Sequence, residues 1–119
     1  MKIKWLKEPE DHDYPAAISY LSLLYKEFEA VRIVQRLKEN PIKVFKVKDI
    51  FRASGLPLLK HDNSHVAKNI EKIKNEKSLS PILLVRDKFN AKCIIVDGYH
   101  RVCAVYCYDE DALIPCKIV

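Results

Sequence analysis

The stretch Asp97-Gly98-Tyr99-His100-Arg101 combines residue types at a spacing suited to holding an anion. One of the chain's two glycines stands where the β-branched run Ile94-Ile95-Val96 gives way to a helical pattern. A glycine there lets the backbone turn with positive φ, and the first N–H groups of the following helix have no partners within the helix. Those donors, the positive end of the helix dipole and the side chains of His100 and Arg101 together favour a phosphate or carboxylate. Asp97 has two readings, a magnesium ligand or base on the one hand and an acid that closes the turn on the other. Arg101 likewise meets either a ligand or the nearby acids Asp97 and Asp109, and His100 either a ligand or the helix end.

Other candidates surround this box. Ser64 to Asn75 reads as a helix, and His65, Lys68 and Lys72 fall together on a side away from its apolar stripe, facing a cleft or water. His61, Asp62 and His65 have metal-like spacing but no third His or Cys beside them, which argues against zinc. Cys93, Cys103, Cys107 and Cys116 form no CxxC pair and are expected to be reduced, buried packing residues.

The elements that must position these groups follow from periodicity. Ala17, Leu21, Leu24, Phe28, Val31 and Val34 recur at three- and four-residue spacing, predicting a long amphipathic helix from Tyr14 to Glu39, with one break near Lys26. Glu8-Pro9-Glu10-Asp11 before it reads as a turn or mobile arm. Asn40-Pro41 ends the helix. Lys43 to Lys48 then alternates as a half-exposed strand, followed by a short helical turn from Asp49 to Ala53 and a breaker at Gly55. Leu56-Pro57-Leu58-Leu59 is an apolar connector, and Asp62 or Asn63 caps the next helix, whose buried stripe is Val66, Ile70 and Ile73. Strands at Ile82 to Val85 and Cys93 to Val96, a helix from Tyr99 to Tyr108 and a last strand from Ile114 to Val119 complete an α+β chain around a small mixed sheet.

Size and charge bound the function. A chain of 119 residues buries roughly 65% of its unfolded surface without needing disulfides or metal. No apolar run approaches a membrane span, and Met1 to Lys7 lacks the apolar core of a secretory signal, so a cytoplasmic protein is expected. The formal charge is +5; residues 1 to 40 hold seven Lys/Arg against seven Asp/Glu, and residues 41 to 119 hold fourteen against nine. The positive excess therefore lies in the same part as the box, which suits an anionic ligand and equally serves solubility.

Four landmarks in this order make residues 42–119 resemble the ParB/sulfiredoxin superfamily of nucleotide-binding domains. They are the strand and turn from Val44 to Phe51, the polar-capped helix Asp62 to Ile70, the Pro-led strand Pro81 to Val85, and Asp97-Gly98-Tyr99-His100-Arg101 with the terminal strand Ile114 to Val119. Residues 1–41 have no counterpart and form an extra long N-terminal helix and arm. The resemblance implies a small mixed sheet packed by helices, with nucleotide phosphates held by Gly98, Tyr99, His100 and Arg101 and helped by His65 or Lys68. It also implies magnesium with ATP, CTP or ADP, with Asp97 as metal ligand or catalytic group.

Departures from the family limit the chemistry. Sulfiredoxins carry a reactive cysteine where this chain has Tyr99, and a phenol does not replace a thiolate. ParB proteins continue into a helix-turn-helix, a pattern not read in residues 1–119, so site-specific DNA reading is not expected. Free-serine kinases of the superfamily use an Asp-Gly-His-His-Arg box, matched here at every position except Tyr99. The expected function is nucleotide binding through this turn, with phosphotransfer or nucleotide hydrolysis as the associated reaction. The alternative is a non-enzymatic nucleic-acid or protein-binding module, and the N-terminal helix is a candidate homodimer surface.

Overall fold

The computed structural model describes residues 2–119. The elements run α1 (Asp13–Leu21), α2 (Glu27–Glu39), β1 (Lys43–Lys46), α3 (Val47–Ser54), α4 (Ser64–Lys74), β2 (Ile82–Asp87), β3 (Lys92–Asp97), α5 (Tyr99–Tyr108) and β4 (Leu113–Ile118). The four strands form one mixed sheet in the order β1-β4-β2-β3. β2 and β3 are an antiparallel hairpin, β4 returns parallel to β2 after crossing over through α5, and β1 closes the far edge antiparallel to β4.

Both faces of this sheet are covered, which explains the unbroken apolar run of β2. Ile82 and Leu84 point into a core built with Val47, Ile50, Val66, Ile73, Val102 and Val105 from α3, α4 and α5. Leu83 and Val85 point the other way, into a second core with Tyr14, Ala17, Leu21, Ala30, Val34 and Leu37 from α1 and α2. The N-terminal helices thus form a full layer of the fold. Helices sit on both sides of a four-stranded mixed sheet. Among the described residues, no helix is long and apolar enough to cross a membrane.

In the N-terminal third the expected break near Lys26 is present, and the expected buried stripe is corrected. The chain leaves the helix after Leu21: Leu23 N–H reaches back to Tyr20 O and Leu24 N–H to Leu21 O, and Lys26 is extended at ψ 151°. That break rolls α2 about its axis. Ala30, Val34 and Leu37 are buried, whereas Leu24, Phe28 and Val31 of the expected stripe stand 51%, 60% and 43% exposed. Of the two readings for Glu8 to Asp11, turn and mobile arm, the turn is observed, with Asp13 N–H donating to Glu10 O at 3.0 Å. Leu6 N–H donates to Leu79 O and Leu79 N–H to Lys4 O, at 2.8 and 2.9 Å, and Pro9 is buried. Lys117 adds a clamp: although buried in β4, its ammonium lies 2.9 Å from Glu8 and donates to Lys38 O at 2.8 Å.

Candidate functional site

Gly98 makes the turn between β3 and α5 at φ +107°, a value that L side chains rarely adopt. It is also crowded: a Cβ there would lie 2.5 Å from Ile82 Cδ1 and 2.9 Å from Arg101 Nη2. The glycine is therefore needed both for its conformation and for the close approach of the arginine. The α5 hydrogen-bond ladder starts with Val102 N–H to Gly98 O at 2.9 Å, and no side chain caps the helix. The N–H groups of Tyr99, His100 and Arg101 precede that ladder, as the anion reading requires.

Arg101 turns inward instead of toward solvent. Its Nη2 bonds Asp97 Oδ2 at 2.9 Å, lies 3.8 Å from Asp13 Oδ2 and makes a longer bond of 3.4 Å to Pro81 O. Of the alternatives for this side chain, pairing with Asp97 is the one observed. Asp13 is almost completely buried at the start of α1, where its carboxylate also accepts from Ser80 Oγ and from Glu10 N–H. This cluster ties the N-terminal layer, the entry to β2 and the box together. Burial pushes the Asp97 carboxyl above its ordinary range; the Arg101 guanidinium opposes this, and the Asp13 charge adds to it. Arg101 Nε is buried without a partner.

Asp97 and Asp13 each direct one carboxylate oxygen at Arg101. Among the described residues, no group of three or more His, Cys, Asp and Glu side chains is gathered to hold a metal.

The outward part of the box is built from imidazoles. His65, in the first turn of α4, and His100, in the first turn of α5, have ring centroids 4.8 Å apart. Asn63 caps α4 by accepting from His65 N–H and Val66 N–H, which settles which of Asp62 and Asn63 starts the helix. Lys68 lies one turn beyond His65 and is exposed on the same side of α4. Burial holds the His100 pKa below its ordinary value, and the neighbouring His65 adds to the effect. Tyr99 is occupied in packing: its hydroxyl donates to Pro57 O, and its ring packs against the core below.

The expected residues thus separate into two groups. Gly98, His100, His65 and Lys68 share the outer surface at the α4 and α5 N-termini, whereas Asp97 and Arg101 lie behind it in a part-buried ion pair.

Sequence reasoning missed Asp13 and Ser80, the other members of that cluster. Nothing local marks them, because an Asp two residues before Pro15 looks like an ordinary helix start. The cysteine expectation is met in part. All four thiols are free, with Cys103 and Cys116 buried, but Cys93 is only half-buried and Cys107 is exposed because it lies a turn further along α5, past the core that closes over Cys103. Two larger cavities lie elsewhere. One of about 390 Å³ includes Phe45, Leu84 and Cys93 in its lining, another of about 600 Å³ lies beside α2, and neither takes in a residue of the box.

Comparison with protein-family models, with characterised proteins and with solved structures returns no match.

Proposed function

We propose that this chain is a nucleotide-binding domain of the ParB/sulfiredoxin type that holds phosphate at the N-terminus of α5. The observation that carries this reading is the uncapped helix end beside the His65 and His100 imidazoles, 4.8 Å apart. Backbone donors from Tyr99, His100 and Arg101 would take phosphate oxygens, while His100, His65 and Lys68 supply charge-assisted bonds from the side chains. Gly98 sets the direction of the N–H groups. Arg101 acts in this reading as the brace that holds the turn, through Asp97 and Asp13, and not as a direct phosphate ligand. Magnesium would arrive as the counter-ion of ATP, CTP or ADP, because Asp97 is already paired.

The pairing leaves His100 and His65, rather than Asp97, as the bases beside the phosphate in this reading. Thermal shift and calorimetric titration with ATP, CTP and ADP, each with and without magnesium, test the reading on the wild-type protein and on His100→Gln and Lys68→Gln. A shift with at least one nucleotide, reduced in both variants and stronger at pH 6 than at pH 8, is expected. No shift with any of the three nucleotides refutes it.

A further inference from the structure

We infer a second anion site, for single-stranded nucleic acid, in the groove between α2 and the tip of the β2–β3 hairpin. β3 runs from Lys92 to Asp97, so this groove and the Gly98 turn lie at opposite ends of one strand. The groove has a volume of about 600 Å³ and draws its lining from parts of the chain far apart in sequence. Four cations line it: Arg36 from α2, Lys43 from β1, and Arg86 and Lys88 from the hairpin. All four are exposed, and none makes an ion pair within 4.0 Å among the described residues.

The single side-chain carboxylate in the lining is Asp87, and it is engaged locally: it accepts from Asn90 N–H at 3.1 Å and Asn90 Nδ2 at 2.8 Å, shaping the hairpin turn. Asp87 therefore has its own donors and leaves four cations facing the groove.

The second observation is aromatic. Phe89, at the hairpin tip, is 97% exposed, and Tyr25 lines the opposite wall, half-buried. With almost its whole surface in water, the Phe89 ring is open to a ligand. A flat ring beside four cations matches the chemistry of an unpaired strand, whose bases stack on rings while its phosphates track positive charge. Duplex nucleic acid offers no free base face to Phe89, and the Asp and Glu side chains of an acidic peptide carry no ring to stack. This site does not depend on the phosphate reading at Gly98.

Fluorescence anisotropy with a labelled oligothymidylate of fifteen nucleotides tests the proposal at 50 and 200 mM salt. Four phosphate contacts predict a loss of about 50-fold in affinity between these salts, since each contributes roughly 0.7 to the logarithmic slope. Lys43→Gln or Lys88→Gln should each flatten that slope by about 0.7, and Lys74→Gln, an equal charge change outside the groove, should leave it unchanged. Phe89→Ala should weaken binding roughly 5- to 150-fold with the slope unaltered. Because that side chain is in solvent, circular dichroism and melting temperature should match the wild type.

The proposal is overturned by absence of binding at 50 mM salt, or by equal effects of Lys74→Gln and Lys43→Gln. It is also overturned if Phe89→Ala binds as well as wild type, and by poly-glutamate displacing the oligonucleotide from wild type and Phe89→Ala alike, which would assign the groove to an acidic protein.

Discussion

Replacing Arg101 with Met keeps the apolar stem and removes the guanidinium that Asp97 and Asp13 share. The Asp97 bond at 2.9 Å is charge-assisted and mostly buried, so its loss costs about 3 kcal/mol. Asp13, 3.8 Å away, keeps its Ser80 and Glu10 donors and adds little. Against this, the variant relieves the unpartnered Arg101 Nε, worth about 1 kcal/mol. A net destabilisation of about 2 kcal/mol at pH 7 results, or roughly 8 °C in melting temperature for a chain of this size.

The pH dependence gives the reasoning a signature. Burial already raises the Asp97 pKa, so ionisation of Asp97 opposes folding: the folded state is favoured below the unfolded carboxylate pKa and loses stability as pH rises through the folded one. Without Arg101 to pull it down, that pKa rises further. The deficit of Arg101→Met against wild type should therefore be small at pH 4 and grow towards pH 7. Urea unfolding followed by far-ultraviolet circular dichroism at both pH values measures it. A deficit below about 0.5 kcal/mol at pH 7, joined to complete loss of nucleotide-induced thermal shift, would make Arg101 a free ligand and refute the brace.

Three further outcomes are expected. Gly98→Ala should destabilise by roughly 2–4 kcal/mol, because positive φ and overlap with Ile82 add, while Gly55→Ala, whose Cβ would meet nothing closer than 3.9 Å, should cost about 1 kcal/mol; equal denaturation midpoints for the two would contradict this. His100 titrates below its ordinary value in the fold, so its contribution is complete above the unfolded histidine pKa and is lost as pH falls through the folded one. Melting temperatures between pH 7.5 and 5 should therefore fall less for His100→Gln than for wild type. Titration with a thiol-reactive disulfide should label Cys107 quickly in the native protein and Cys103 and Cys116 only on unfolding, since both are buried and the Cys116 thiol is pushed to about 12; fast labelling of more than two thiols would contradict the packing.

Where a signal is carried by neighbours in sequence, the sequence by itself determined the result. The α5 bounds, Tyr99 and Tyr108, follow from Gly98 before it and the apolar run within it, and Asp62-Asn63 reads as the place of a cap because either side chain can satisfy N–H groups two and three residues on. The alternation at Lys43 to Lys46 and the helical spacing of Val66 and Ile73 are equally local. These signals sufficed for a chain of helices around a mixed sheet, and for the prominence of the turn at Gly98.

Only the tertiary structure decided what faces what. The apolar run of β2 says that both sides are buried, but not that Leu83 and Val85 meet α1 and α2 while Ile82 and Leu84 meet the other three helices. The break near Lys26 was legible in the stripe from Ala17 to Val34, but not that it turns Phe28 and Val31 to solvent, because a change of helix axis leaves the spacing of residues intact. For Arg101, spacing offered both a ligand and an ion-pair reading; a fold that brings Asp13 and Ser80 beside Asp97 supplied the partners. Hydrogen bonds across 67 residues, such as Ser80 to Asp13, leave no periodic trace in a sequence. At the β3-to-α5 turn, local chemistry therefore gave the expectation of an anion, and long-range packing determined that Arg101 is paired with Asp97 while His100 lies against His65.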